Sequence, residues 1–415
     1  MRPLLPTILA AMALAAAPLA AQLQLPRVPG VGGIVGNVTG TVDDTLETAD
    51  RLTAREARRL LRVRDQTLAR LLRQNSDVIE RDVRGELARR GELLAIEASA
   101  AQIAQLEAAG FRVLGRERIE GLDIAVTRLG IQSGQSLAQA QARAAAIVPE
   151  LELGADNLHF AAGTVVAAST SAPLAVSLAA AQAAPITVPI GIIDGAPGNA
   201  VPVAAIKGFA EGAPTASDHG SAVASLLRAT GVRTIRVADV YGQEPAGGNA
   251  LAISKALGWL SASGCKVVTI SLVGPRNPLV ERAIKAARER GIIIVAAVGN
   301  DGPAAPAAYP ASYDGVLAIT GADRKGRALI EAGRALHLDY AAPGADVYAF
   351  DAKGRSKLWR GTSFATPLAA ARVAAALSNG QRWRAALDTE ARDLGAKGAD
   401  KVFGRGLLCG GCGKK

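Results

Sequence analysis

The second half of this 415-residue chain restricts its fold more tightly than any other feature. From Thr187 onward, short, largely apolar runs alternate with helical segments. The runs lie at 188–193 (V-P-I-G-I-I), 234–240 (T-I-R-V-A-D-V), 266–272 (K-V-V-T-I-S-L), 291–298 and 315–320. Helical stretches fall between them at 221–229, 250–263 and 277–290. A strand that is apolar on both faces must be covered on both faces, and strands joined by crossover helices pair in parallel. The pattern predicts an α/β fold with a mostly parallel sheet and helices on both faces. Such a sheet gathers its functional residues at the C-terminal edge of its strands. Aromatic residues are only 3% of the chain, so Ala, Val, Leu and Ile must build most of the core.

The first half reads as several separate pieces. Residues 1–21 carry Arg2, an almost wholly apolar stretch from Leu4 to Ala17 and small residues up to Ala21, the layout of a signal peptide. Pro6, Pro18 and the many alanines argue against a stable transmembrane anchor. The expectation is export, to a periplasmic or extracellular location. Residues 22–90 read as a Gly- and Pro-rich linker followed by an arginine-rich helical arm over about 48–90, with leucines at spacings of one, three and four. Charge on such an arm is ordinary for a solvated helix face, and nucleic acid is not an expected partner.

Residues 91–160 form a small pattern of their own. A strand at 92–97 leads to a helix at 100–109, capped by Ser99 and stopped by Gly110. Strands at 111–119 and 122–129 flank a turn, a helix follows at 137–147, and 151–160 reads as a last strand. The order β-α-β-β-α-β predicts an α+β ferredoxin-like plait, an architecture that names no function by itself. Residues 161–186 are an Ala-rich connector, 187–408 the larger α/β domain and 409–415 a tail.

The net charge of +10 is unevenly placed: residues 1–184 hold 19 basic and 19 acidic side chains, against 28 and 18 in 185–415. Three cysteines occur. Cys265 reads as a small buried residue, and Cys409 with Cys412 as a local staple once exported. No cofactor is evident, and no metal is assigned. Calcium-holding insertions are not seen, and dependence on calcium is left open.

Three segments converge on the expected sheet edge: G-I-I-D-G at 191–195, D-H-G-S-A-V-A at 218–224 and G-T-S-F-A-T-P at 361–367. They offer Asp194, His219 and Ser363. A serine hydroxyl is a weak nucleophile until an imidazole takes its proton, and the imidazole needs a carboxylate to fix its tautomer. The order Asp, His, Ser along the chain is that of subtilisin. Taken singly, Asp194 could be a turn-capping carboxylate and Ser363 a helix cap.

Together these segments resemble the subtilase family. A-V-G-N-D-G at 297–302 is similar to its oxyanion stretch, S-L-V-G-P at 271–275 to its substrate-pairing strand, and D-Y-A-A-P-G at 339–344 and G-R-G-L-L at 404–408 to further landmarks. The resemblance implies a serine endopeptidase acting on protein or peptide substrates through Asp194, His219 and Ser363. Asn300 would supply an oxyanion donor, and Ser271, Leu272, Val273 and Gly274 would bind substrate. It also implies that residues 91–160 are a propeptide that chaperones and inhibits, with self-cleavage near Phe160–Ala161. Where the family commonly has Ser or Thr this chain has Gly195, and Val273 replaces a common Gly, which implies a pocket for small or medium side chains. His159 and His337 read as surface or partly buried histidines, and Asp218, Asp301 and Asp339 as supporting residues. Two alternatives remain: a catalytically degenerate, peptide-binding subtilase fold, and an envelope-associated protein that holds anionic polymers through its arginine-rich arm.

Overall fold

The structure, a computed structural model, describes residues 42–162, 164–165 and 185–409, excepting the side chains of 42–53 and 164–165. The expected signal peptide, much of the linker and connector, and Cys412 therefore lie outside the described residues. The chain divides into two compact units, Met1–Arg51 and Leu52–Lys415, and every contact below is internal to the second.

A long helix comes first, α1 (Val42–Gln74), and then a hairpin of β1 (Ile79–Arg81) and β2 (Leu87–Ile96). The helical expectation for 48–90 thus fails after Gln74. Asp82, almost fully buried, accepts the backbone N–H groups of Arg84 and Glu86 at 2.9 Å, and Gly85 takes φ +80°, so this acidic and glycine-bearing stretch closes a turn. The plait continues with α2 (Ala100–Ala108), β3 (Arg112–Ile119), β4 (Ile124–Gly130), α3 (Leu137–Ile147) and β5 (Leu153–Asn157). Ser99 and Ser136 each close a capping box with a glutamine three residues on. The strands run antiparallel in the order β1-β2-β4-β3, with β5 on β2.

Residues 151–160 do not form one strand. After β5 the chain leaves the plait and makes β6 (Phe160–Ala161), which pairs with a different partner, and then β7 (Thr164–Val165). The larger domain follows: β8 (Ile190–Asp194), β9 (Ala205–Gly208), α4 (Asp218–Ala229), β10 (Ile235–Asp239), α5 (Ala250–Ala262), β11 (Val267–Ile270), β12 (Leu272–Val273), α6 (Pro278–Glu289), β13 (Ile293–Ala297), β14 (Leu317–Ala322), β15 (Tyr340–Pro343), β16 (Val347–Phe350), β17 (Ser356–Arg360), α7 (Thr362–Ser378) and α8 (Trp383–Glu390).

Seven strands form a parallel sheet in the order β15-β14-β13-β11-β8-β10-β9. Successive side chains alternate between its faces, as the period of two requires. Ile192, Val237, Val267, Val295 and Leu317 join α4 and α7 in one core. Ile193, Ala238, Val268, Ile294 and Ala318 join α5 and α6 in another. That second core runs on into the plait through Leu94, Ile96, Ile119, Ile124 and Val126. At about 1.5–3 kcal/mol for each fully buried aliphatic side chain, this shared core is a large fraction of what holds plait and domain together. The backbones meet closely there: a Cβ on Gly121 would collide with the Gly258 carbonyl, and one on Gly258 with the Glu120 carbonyl.

Candidate active site

Four strand and helix ends meet at the C-terminal edge of the sheet. Asp194 ends β8, 1% exposed, and its Oδ1 accepts the Gly195 N–H at 2.7 Å. His219 lies in the first turn of α4, which Ser217 caps by accepting the Gly220 N–H. Nδ1 of His219 sits 2.9 and 2.8 Å from the two Asp194 oxygens, an arrangement that fixes the ring and leaves Nε2 unused by the carboxylate. The departure at Gly195 has a steric cause, because a Cβ there would run into the Ser217 hydroxyl that caps α4.

Ser363 is the second residue of α7, reached through Gly361 at φ +142°. Pro367 lies inside this helix and carries no N–H, so the Ser363 carbonyl loses its usual partner four residues on. The Ser271 hydroxyl donates to that carbonyl at 3.0 Å. The Ser363 hydroxyl in turn donates to the Ser271 carbonyl at 3.1 Å and not to His219, whose buried Nε2 has no hydrogen-bond partner among the described residues. The rings of His219 and Phe364 lie 5.4 Å apart, which brings the imidazole alongside the start of α7.

Asn300 is oriented by its own oxygen. Oδ1 accepts the Thr362 N–H at 3.0 Å, turning Nδ2 toward the Ala162 carbonyl, to which it donates. The Ser363 N–H donates to the same carbonyl at 3.1 Å. Asn300 and Ser363 are thus brought together on one oxygen that belongs to neither domain core but to the segment leaving the plait.

That segment lies extended in the cleft. Ala162 N–H donates to the Ser271 carbonyl at 3.0 Å, and β6 pairs antiparallel with β12, Ala161 opposite Leu272 and Phe160 opposite Val273. On the other side His159 N–H donates to the Gly248 carbonyl at 2.8 Å, and the Tyr241 hydroxyl donates to the His159 carbonyl at 3.2 Å. The carbonyl held by the two donors is that of Ala162, two residues beyond the Phe160 carbonyl expected from sequence. Strand pairing starts at Phe160, so the segment needs those two residues to reach the donors.

His159 is fully buried, which corrects the expectation of a surface or partly buried residue. Its ring lies where a Cβ on Gly274 would strike it, and among the described residues neither ring nitrogen has a partner at hydrogen-bond geometry. Burial without a charge partner pushes its pKa down to about 4. Val273 reaches across toward Gly299, filling space beside the Asn300 loop. Sequence reasoning missed Asp239, Tyr241 and Gly248. Asp239, fully buried, accepts the N–H groups of Thr215, Tyr241 and Gly242 and so holds the loop that forms the second wall of the cleft. The D-V-Y-G sequence at 239–242, an acidic residue followed by a glycine-bearing turn, was the available signal. Asp218 accepts the Ala352 N–H, Asp339 accepts the Ala318 N–H, and His337 Nε2 lies 2.8 Å from the Val316 carbonyl. Cys265 is free and buried, whereas Cys409 is disulfide-bonded. Among the described residues no helix is long and apolar enough to cross a membrane.

The profile of the subtilase family matches residues 205–406, a span that begins after Asp194. Subtilisin DY of Bacillus licheniformis is 30% identical over 207 residues, 48% of this chain and 73% of that protein. Subtilisin Savinase of Lederbergia lenta is 29% identical over 218 residues, 48% of this chain and 80% of that protein. The minor extracellular protease Epr of Bacillus subtilis is 30% identical over 170 residues, so the match spans only 26% of its length. Among solved structures, fervidolysin from Fervidobacterium pennivorans, a keratinolytic enzyme related to subtilisin, superposes with a TM-score of 0.63 at 17% identity, covering 77% of this chain and 60% of that one. The epidermin leader peptide processing serine protease of Staphylococcus aureus gives 0.59 at 17% identity, covering 77% and 96%. The structures support the fold and the subtilisins the lineage: the chain belongs to the subtilase family of serine proteases.

Proposed function

We propose that this chain is an exported serine endopeptidase, made as a zymogen that cuts itself after Ala162 and keeps the cut end in its own active site. The observation that carries this reading is the convergence of the Asn300 amide and the Ser363 N–H on the Ala162 carbonyl. Donors placed on a carbonyl oxygen are placed for the negative charge it acquires on attack. In this reading residues 1–21 direct export, the plait is a propeptide, and substrates are proteins or peptides lying extended between β12 and the 241–248 loop.

The reaction follows from the groups present. Ser363 turns about its Cα–Cβ bond from the Ser271 carbonyl toward His219, and Nε2 takes the hydroxyl proton as Oγ bonds to the carbonyl carbon. Asp194 holds the imidazolium so formed. The carbonyl oxygen carries the charge on Asn300 and Ser363. The C–N bond then breaks, its electron pair leaving on the amine, which receives the proton from His219. Water repeats the sequence on the ester, releasing the acid and restoring the serine. Loss of the Asn300 amide costs about a hundred- to a thousandfold in turnover where a single donor of this kind is removed.

N-terminal sequencing of the purified wild-type chain beside Ser363→Ala tests this. The wild type is expected to begin at Gly163 after incubation, while Ser363→Ala stays uncut. Maturation of purified Ser363→Ala to the same N-terminus would falsify self-processing. The hydroxyl of Ser363 pointing at Ser271 favours a second reading, a peptide-binding subtilase fold that does not cut. Failure of the wild type both to cut and to react with a fluorophosphonate probe would establish that reading instead.

A further inference from the structure

The face of α1 that is turned inward from 57 to 72 follows helical spacing: Ala57, Leu60, Leu61, Arg64, Leu68, Leu71 and Leu72 are buried or half-buried, while Arg58, Arg59, Arg62, Val63, Asp65, Gln66, Thr67 and Arg70 are exposed. Toward its C-terminal end, Leu68, Leu71 and Leu72 pack on a cluster of Ile79, Leu87, Leu158 and Ala246, against which Phe160 also packs. Leu87 belongs to the plait, Leu158 and Phe160 to the segment in the cleft, and Ala246 to the loop that walls the cleft. About two turns earlier, roughly 12 Å along the axis, the same face meets the oxyanion loop. Arg64 Nε donates to Asp301 Oδ2 at 3.2 Å, and Leu60 lies over Gly302, where a Cβ would press on it. Asp301 and Gly302 directly follow Asn300. The catalytic domain therefore presents a helix-docking surface that runs from the cleft wall to the oxyanion loop, and an arginine on an apolar face is what it receives.

We propose that α1 is a clasp, separate from the plait, whose docking on the Asp301–Gly302 loop and the Ala246 wall holds the segment 158–162 in the active site before and after the bond beyond Ala162 is cut. This rests on the reading of that segment as the inhibitory tail. Cutting alone then does not open the site. The clasp must also be undone, by dissociation or by a second cut in the N-terminal region. Asp301, read from sequence as a supporting residue, is the anchoring carboxylate for this helix.

Hydrogen exchange on the full-length Ser363→Ala chain tests the clasp without needing activity. The reporters are the amides of His159 and Ala162, which donate to Gly248 and Ser271. Combining Leu60→Ser with Arg64→Glu sets a like charge against Asp301 and removes the leucine contact. It is expected to speed exchange at both amides by about tenfold, the scale of a half-buried ion pair with part of an apolar contact. Arg62→Glu makes the same charge change on the exposed face and is expected to leave both amides at the parent rate. Protected plait amides on β4 report that the double variant remains folded. In the active chain the double variant is expected to cut at the parent rate and then to hydrolyse a fluorogenic peptide after a shorter lag. Unchanged exchange at His159 and Ala162 in the double variant, or equal acceleration by Arg62→Glu, overturns the clasp. Absence of any cut in the wild type would sink the protease reading while leaving the exchange result to decide the clasp.

Discussion

On the reading proposed above, Val273 would set the width of the substrate pocket. It sits on β12 opposite Phe160, and its methyl groups reach toward Gly299 beside Asn300. The residue whose carbonyl meets the donors is Ala162, a side chain that needs little room. On that reading, a branched residue at 273 would leave space for a methyl group and take it from a ring. The expectation is that peptides with Ala before the cut bond are hydrolysed with kcat/KM at least about tenfold above matched peptides with Phe there, the scale of discrimination by shape alone. Val273→Gly should raise kcat/KM for the Phe peptide and leave the Ala peptide nearly unchanged. A wild-type preference for large aromatic residues at that position, measured on matched peptides, would exclude this account.

At the scale of elements, β12 and α7 are joined by a reciprocal pair of hydrogen bonds that the sequence did not disclose. Pro367 leaves the Ser363 carbonyl without its helical donor, and the Ser271 hydroxyl replaces it. Ser271→Ala should leave that buried carbonyl unpaired at a cost of about 1–3 kcal/mol. Urea unfolding of Ser271→Ala in a Ser363→Ala background, where self-digestion cannot interfere, measures it. A midpoint equal to the parent's would mean that the bond contributes nothing. The elements themselves were legible because period and composition act locally. Unbroken runs such as 291–298 could only be doubly covered strands, and Ser99 and Ser136 announced their helices. What was not legible depended on partners distant in sequence. Residues 79–90 looked helical by their leucine and arginine spacing, yet Ile79 and Leu87 pack with Leu158 and Ala246, which no local window contains. The strand at 151–160 splits because its last residues pair with β12, more than a hundred positions away. Asp194, His219, Ser363 and Asn300 could be picked out because each sits in a short motif, whereas Tyr241 and Gly248 touch the cleft segment through a carbonyl and an N–H that leave no trace in residue type.

For the whole molecule, two buried titratable groups between the plait, the cleft segment and the larger domain respond to acid in opposite senses. His159 is neutral in the cleft, with its pKa held down to about 4 by burial, against an ordinary value near 6.5. Its contribution to holding the segment is complete above about pH 6.5 and is lost as pH falls toward 4. Asp156 lies at the seam, 1% exposed, accepting the Leu251 N–H at the start of α5, with Arg89 3.6 Å away. Burial pushes its pKa up to about 7, so its contribution is complete below the ordinary carboxylate range and is lost as pH rises toward 7. Between these limits the two slopes offset each other, and the wild-type segment should be held with little dependence on pH. Replacing His159 by Phe keeps a flat ring in an apolar pocket and removes one slope. Relative to wild type at the same pH, the lag before peptide hydrolysis should be equal or modestly longer at pH 7. The ratio should then grow as pH falls, reaching on the order of a hundredfold near pH 4, where the buried imidazole is half protonated. Taking the ratio at each pH cancels every effect that both chains share. A ratio that stays flat from pH 7 to 4 would show that the buried imidazole does not couple the cleft to acid.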